Sequence, residues 1–138
     1  MIERISIKIE KIKEYIELLK NMKEDCERRF LEDPIFRGAL LHYLYLVADS
    51  SISLAEMIIK FKGFRTPQSY SETIDILGEH GIIPGEFAYN FARIASLRNF
   101  LAHDYEKIDY KRICKETLSK LSEVEQYLNY ISDYFKIA

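Results

Sequence analysis

Glycine and proline are scarce in this chain, with five and three among 138 residues. Together with 48% hydrophobic and 30% charged residues, that scarcity excludes a low-complexity or loop-dominated chain and points to a globular protein rich in helix. No glycine-rich loop that could cradle a phosphate is present. Cysteine is rarer still. Cys26 and Cys114 lie far apart, with neither a second cysteine nor a histidine at ligand spacing, so neither a zinc site nor a disulfide framework is expected. Both are read as reduced thiols of a cytoplasmic protein. The three histidines, His42, His80 and His103, fall on separate predicted elements without clustered carboxylates, and no metal or other cofactor is expected.

Two further absences narrow the class. No apolar run reaches membrane-spanning length, and Met1-Ile2-Glu3-Arg4-Ile5 alternates charge with isoleucine, so an unprocessed, soluble protein with no membrane partner is expected. A formal net charge of −2 argues against the broad basic surface of a nonspecific polyanion binder. Any contact with nucleic acid must then be local.

What is present reads as helix almost throughout. At this length one domain, 1–138, suffices and can bury roughly two-thirds of its unfolded surface. Ile2, Ile5, Ile9, Ile12, Ile16, Leu19 and Met22 recur at steps of three and four, which predicts an amphipathic helix with one buried stripe. Periodicity fades between Lys23 and Leu31. Asp33-Pro34 then opens a long central helix towards Lys62, stopped by Gly63, because aspartate caps free amides and proline tolerates the first helical position. Its middle, Ala39 to Ala48, is apolar on most faces and is interrupted by Asp49, a carboxylate that needs a partner, with Arg98 a candidate.

After a Thr66-Pro67 breaker, Ser69-Tyr70-Ser71-Glu72 fits a capping box for a short helix through Leu77, closed by Gly78 and Gly81. Ile82 to Gly85 turns the chain into a helix with Phe87, Phe91, Ile94, Ala95 and Leu97 as apolar positions, ending near His103. Asp109 caps the last helix, whose stripe is Ile113, Leu118, Leu121, Val124, Leu128, Ile131 and Phe135.

The chemistry concentrates in Arg98-Asn99-Phe100-Leu101-Ala102-His103-Asp104-Tyr105. Arginine offers a permanently charged fork that fits phosphate oxygens, and histidine exchanges protons near neutrality. Those are the two services needed when an RNA 2′-hydroxyl attacks its neighbouring phosphate, a reaction whose nucleophile belongs to the substrate. The plainer reading is that cationic side chains gather at a helix C-terminus, where they meet its last carbonyls. On an unbroken helix Arg98 and His103 diverge by roughly 140°, whereas Asn99 and His103 share a face and can hydrogen-bond. Either the helix unwinds before His103, or a second subunit brings its own copy of the motif alongside.

The spacing Arg98, a polar Asn99, His103 and Tyr105 resembles the R-x4-H-x-Y motif of HepT-type HEPN ribonuclease toxins. The likeness extends over nearly the whole chain: the leading amphipathic helix, the entry at Asp33-Pro34, the run Pro67-Gln68-Ser69-Tyr70, and Leu77 through Pro84. It implies an all-α, up-and-down bundle of about five helices, and a homodimer whose two motifs meet in one cleft, with assembly into a higher oligomer alongside an antitoxin left open. It also implies a metal-independent endoribonuclease toxin. Arg98 would stabilise the phosphorane, His103 would move the proton, Asn99 would orient, and Asp49 would steer Arg98. A small nucleotidyltransferase antitoxin would attach AMP to Tyr105. The competing reading is a noncatalytic helical subunit that binds a nucleotidyltransferase, with Tyr105 packing its ring like others of the ten tyrosines.

Overall fold

The computed structural model describes residues 1–103 and 108–137. It is all-α among those residues, a helical bundle in which α1 (Ile2–Lys20), α2 (Cys26–Glu32), α3 (Pro34–Lys62), α4 (Tyr70–Glu79), α5 (Gly85–Phe91) and α6 (Ile94–His103) precede a short α7 (Tyr110–Arg112). A π-helical turn, Ile113–Thr117, leads from α7 towards α8 (Leu121–Phe135).

The bundle is arranged around α3. Its start is set as the sequence expects: Asp33 Oδ1 accepts from the amides of Ile35 at 3.0 Å and Phe36 at 3.2 Å, with Pro34 in the first turn. It ends at Gly63 with φ of 70°, a left-handed position that glycine adopts without steric cost. Leu40, Leu44, Ala48, Ile52, Leu54, Ala55 and Ile58 are all at most 2% exposed, so α3 is covered on several sides. α1 lays Ile5, Ile9, Ile12, Ile16 and Leu19 against it, and α4 and α6 cover other faces. From α8 the phenol of Tyr127 reaches in and donates to the Ser51 carbonyl at 2.7 Å, while the Ser51 hydroxyl donates to Val47 O at 2.7 Å. Both polar groups at this deep crossing are thereby satisfied.

In five places the structure departs from the sequence expectation, one being the last helix, expected as a single helix from Asp109 and divided into α7, the π-helical turn and α8. Cys26 and Cys114 are not free thiols: they form a disulfide across 88 residues, with Cα atoms 5.8 Å apart. Local spacing could not have shown this, because the pairing depends on α2 meeting the π-helical turn, where Phe30 also stacks on Tyr110 with ring centroids 6.2 Å apart. The weakly periodic stretch after Lys23 contains α2, anchored by buried Cys26 and Phe30. The helix expected from Gly85 to His103 is two helices, broken at Ala92-Arg93.

Gly78 does not end α4 but lies inside it. A Cβ at this position would stand 2.6 Å from Ala88 Cβ and 3.6 Å from Gly85 Cα, so glycine is required for α4 and α5 to touch. The chain reversal belongs to Gly81, at φ of 68°.

Candidate functional site

Arg98 stands on the side of α6 that faces α3. Its Nε donates to Asp49 Oδ1 at 3.1 Å, one terminal nitrogen to Asn99 Oδ1 at 3.2 Å, and the other to the Tyr45 hydroxyl at 3.3 Å. The guanidinium carbon also lies 4.7 Å from the ring centroid of Tyr70 and 5.5 Å from that of Tyr45, both within cation–π range. Three of the five N–H groups of an arginine are engaged by these bonds, so among the described residues one on each terminal nitrogen has no partner.

The environment favours the charged form. Burial works against it, with the Arg98 side chain 17% exposed, but the bond to Asp49 and the nearby Tyr45 and Tyr70 phenols outweigh that cost and hold its pKa above the ordinary value. Asp49, at 41% exposed, keeps contact with solvent. The result is a fixed cation on α6, with two donors unpartnered among the described residues. Such a group can bind a phosphate or stabilise the charge that builds on one during reaction.

The structure thus brings Asp49, Arg98 and Asn99 together, and among the described residues no hydrogen bond joins His103 to them. α6 is continuous from Ile94 to His103, so the helix does not unwind ahead of the histidine and the divergence expected on a regular helix stands. His103 is exposed on the last turn. The expected bond from Asn99 to His103 is absent among the described residues: the Asn99 side-chain oxygen is taken by Arg98. Tyr105 lies outside the described residues.

Two members of the cluster were not found from sequence. Tyr45 precedes Asp49 by four residues on α3, and that i, i+4 spacing was a usable signal. Tyr70 stood in the run Pro67 to Tyr70 that carries the resemblance, but nothing in the sequence linked it to Arg98, because its approach depends on where the loop after Gly63 returns the chain.

A cavity of about 750 Å³ lies elsewhere, between Leu44 and Val47 of α3, Leu97 and Phe100 of α6, and Ile113 and Leu121. None of Asp49, Arg98, Asn99 and His103 lines it. No helix among the described residues is long and apolar enough to cross a membrane.

Comparison with known proteins agrees over nearly the whole length. Residues 12–131 match the family model described as Ribonuclease HepT-like. An Archaeoglobus fulgidus protein, whose name proposes an RNase, is 29% identical over 120 residues, covering 87% of this chain and 83% of that one. The mRNA nuclease HepT of Shewanella oneidensis is 23% identical over 124 residues, covering 90% of this chain and 92% of its own. In fold, the chain is similar to the tri-AMPylated Shewanella oneidensis HEPN toxin solved in complex with its MNT antitoxin, with a TM-score of 0.81 at 22% identity over 94% of this chain and 96% of that one.

Proposed function

Because the chain belongs to the HepT-like ribonuclease family, we propose that it is a metal-independent endoribonuclease, acting in the cytoplasm as the toxin of a toxin–antitoxin pair. One domain, 1–138, carries the activity, and RNA is the substrate. The observation that carries this reading is the Arg98 cluster, a guanidinium fixed by Asp49, Asn99 and Tyr45 with two N–H groups that have no partner among the described residues.

In the proposed reaction the 2′-oxygen attacks the adjacent phosphorus and the bond to the 5′-oxygen breaks. An imidazole accepts the 2′-proton, another supplies a proton to the departing oxygen, and Arg98 neutralises the charge gathered on the phosphorane. A single continuous α6 directs Arg98 and His103 to different sides. The site is therefore assembled in a homodimer, where two motifs face one cleft and provide two arginines and two histidines. Pairing two Arg98 side chains also concentrates positive charge in a protein whose net charge is −2.

Control comes from a small nucleotidyltransferase antitoxin that attaches AMP to Tyr105, two residues beyond the end of α6. The added phosphate would oppose a substrate phosphate in the same cleft by charge and by bulk.

Cleavage of RNA by the purified protein in the presence of a chelator is the direct test, with Arg98→Ala and His103→Ala each expected to lose at least about a hundredfold. Mixing the two variants should restore part of the activity, since a mixed dimer would regain an intact Arg98 and an intact His103 in one cleft. Cleavage that survives either single change would remove the assignment. Incubation with the nucleotidyltransferase and ATP should add the mass of AMP to the wild type and nothing to Tyr105→Phe.

A further inference from the structure

Next to Asn99 an open recess of about 440 Å³ is lined by Glu56 of α3, Pro67, Gln68 and Ser69 of the turn before α4, Tyr70, Thr73 and Asn99. We infer that this recess holds the base of the nucleotide flanking the scissile phosphate, and that Glu56 makes it select bases carrying an exocyclic amine over uracil. The inference rests on the ribonuclease reading and adds to it a substrate preference.

Position argues first. Tyr70 and Asn99 each take part in both places: the Tyr70 ring lies 4.7 Å from the Arg98 guanidinium, Asn99 accepts from Arg98, and both residues line the recess. A phosphate bound by Arg98 would therefore have its own nucleoside within reach of the recess. The volume falls within the range of about 300–1,000 Å³ usual for small-ligand sites.

Charge decides which part of the nucleotide enters. Among the described residues no lysine or arginine lines the recess, and the carboxylate that does, Glu56, is exposed and has no ion-pair partner there. A second phosphate would be repelled there. A planar base is suited, because Tyr70 offers an aromatic wall that is 40% exposed, and Gln68 and Asn99 offer amides able to donate and accept. The Ser69 oxygen is already accepting from the Glu72 amide at 3.1 Å, so its hydroxyl is left to donate.

Glu56 then sets the preference. An ionised carboxylate can only accept hydrogen bonds, and the amines of cytosine and adenine, or the N1 and N2 hydrogens of guanine, supply them. Uracil presents a single N–H between two carbonyl oxygens, and either carbonyl would face the carboxylate unfavourably. A base unstacked from a single-stranded region can enter such a recess, whereas a paired base cannot.

Glu56 is solvent-exposed on α3, so Glu56→Gln should fold normally, and circular dichroism would verify it. Cleavage positions are mapped by sequencing on RNAs of randomised single-stranded sequence with the full chain. The wild type should disfavour uridine at one position beside the cut by about tenfold, and Glu56→Gln should reduce the bias to about twofold or less. In parallel, binding of uncleavable oligonucleotides with a 2′-deoxy substitution at the cut should be weaker for uridine than for cytidine, with the difference lost in Glu56→Gln. A wild type that cleaves without base bias, or a bias untouched by Glu56→Gln, overturns the inference and leaves the ribonuclease reading in place. If Glu56→Gln alters only the affinity for the nucleotidyltransferase, the recess is a protein contact and the inference also falls. Failure of the wild type to cleave any RNA removes the ribonuclease reading, and equal affinity for the uridine and cytidine oligonucleotides would then overturn the base recess separately.

Discussion

Asp49 Oδ1 accepts from Arg98 Nε at 3.1 Å, tying α3 to α6 across 49 residues of sequence. The bond occupies the inner edge of the guanidinium and leaves both terminal nitrogens directed elsewhere. Asp49 fixes the orientation of the charge as well as balancing it.

Replacing Asp49 with alanine should therefore cost function more than stability. The pair is partly solvated, with its two side chains 17% and 41% exposed, and such pairs contribute at most about 1 kcal/mol. RNA cleavage should fall about tenfold, equivalent to about 1.4 kcal/mol of transition-state stabilisation, while the thermal midpoint moves by only a few degrees. Parallel activity assays and melting curves on Asp49→Ala and Asp49→Asn check this. A large drop in midpoint with unchanged cleavage per folded molecule would contradict it.

Gly78→Ala should destabilise although alanine is the better helix former. The new methyl would fall 2.6 Å from Ala88 Cβ, too close to be relieved by side-chain rotation, so α4 and α5 must separate. Overpacking of this kind costs about 1–3 kcal/mol, outweighing the roughly 1 kcal/mol that helix propensity favours. Urea titration of the variant gives the sign directly, and Gly78→Ala combined with Ala88→Gly should recover much of the loss.

The disulfide should stabilise the oxidised protein. It closes a loop containing most of the bundle and the whole motif, from Cys26 to Cys114, and a cross-link of that span contributes about 2–5 kcal/mol. Cys114→Ser, or treatment with a dithiol reductant, should lower the denaturation midpoint by the same amount, since both remove one bond between α2 and the π-helical turn. Thiol titration of the unreduced, unfolded protein should find no free cysteine.

Alkaline pH should weaken the fold through Tyr127. Burial pushes its phenol pKa far above the ordinary value of 10.0. Its contribution is complete below pH 10 and is lost as pH rises beyond that, because the unfolded chain releases the proton first, with a slope of up to about 1.4 kcal/mol per pH unit. Unfolding curves at successive pH values above 10 should show this slope for the wild type and a shallower one for Tyr127→Phe. That variant should also lose about 1 kcal/mol at neutral pH with the bond to Ser51.

The degree to which sequence could be read differs between elements for identifiable reasons. α1 was legible because an isoleucine stripe at steps of three and four specifies both a helix and its buried side, and Ile5, Ile9, Ile12 and Ile16 are all at most 2% exposed. The start of α3 and of α4 was legible because Asp33 and Ser69 cap through local bonds to amides two or three residues onward. The break at Ala92-Arg93 was not, since apolar residues continue on both sides of it and no glycine or proline marks the spot. Gly78 was visible as a glycine but misread as a terminator, because its role depends on Ala88 in another helix.

Sequence alone determined that this is an all-α chain, where its principal helices begin, and that Arg98, Asn99, His103 and Tyr105 share one short motif, since capping and periodicity act over a few residues. Tertiary structure alone decided that Tyr45 and Tyr70 enclose Arg98, that Glu56 and Gln68 form a recess beside it, and that two cysteines 88 positions apart are bonded. Those relationships depend on how far α3, α4 and α6 are turned and shifted against one another. That geometry is set by the packing of the entire core, and no local stretch of residues encodes it.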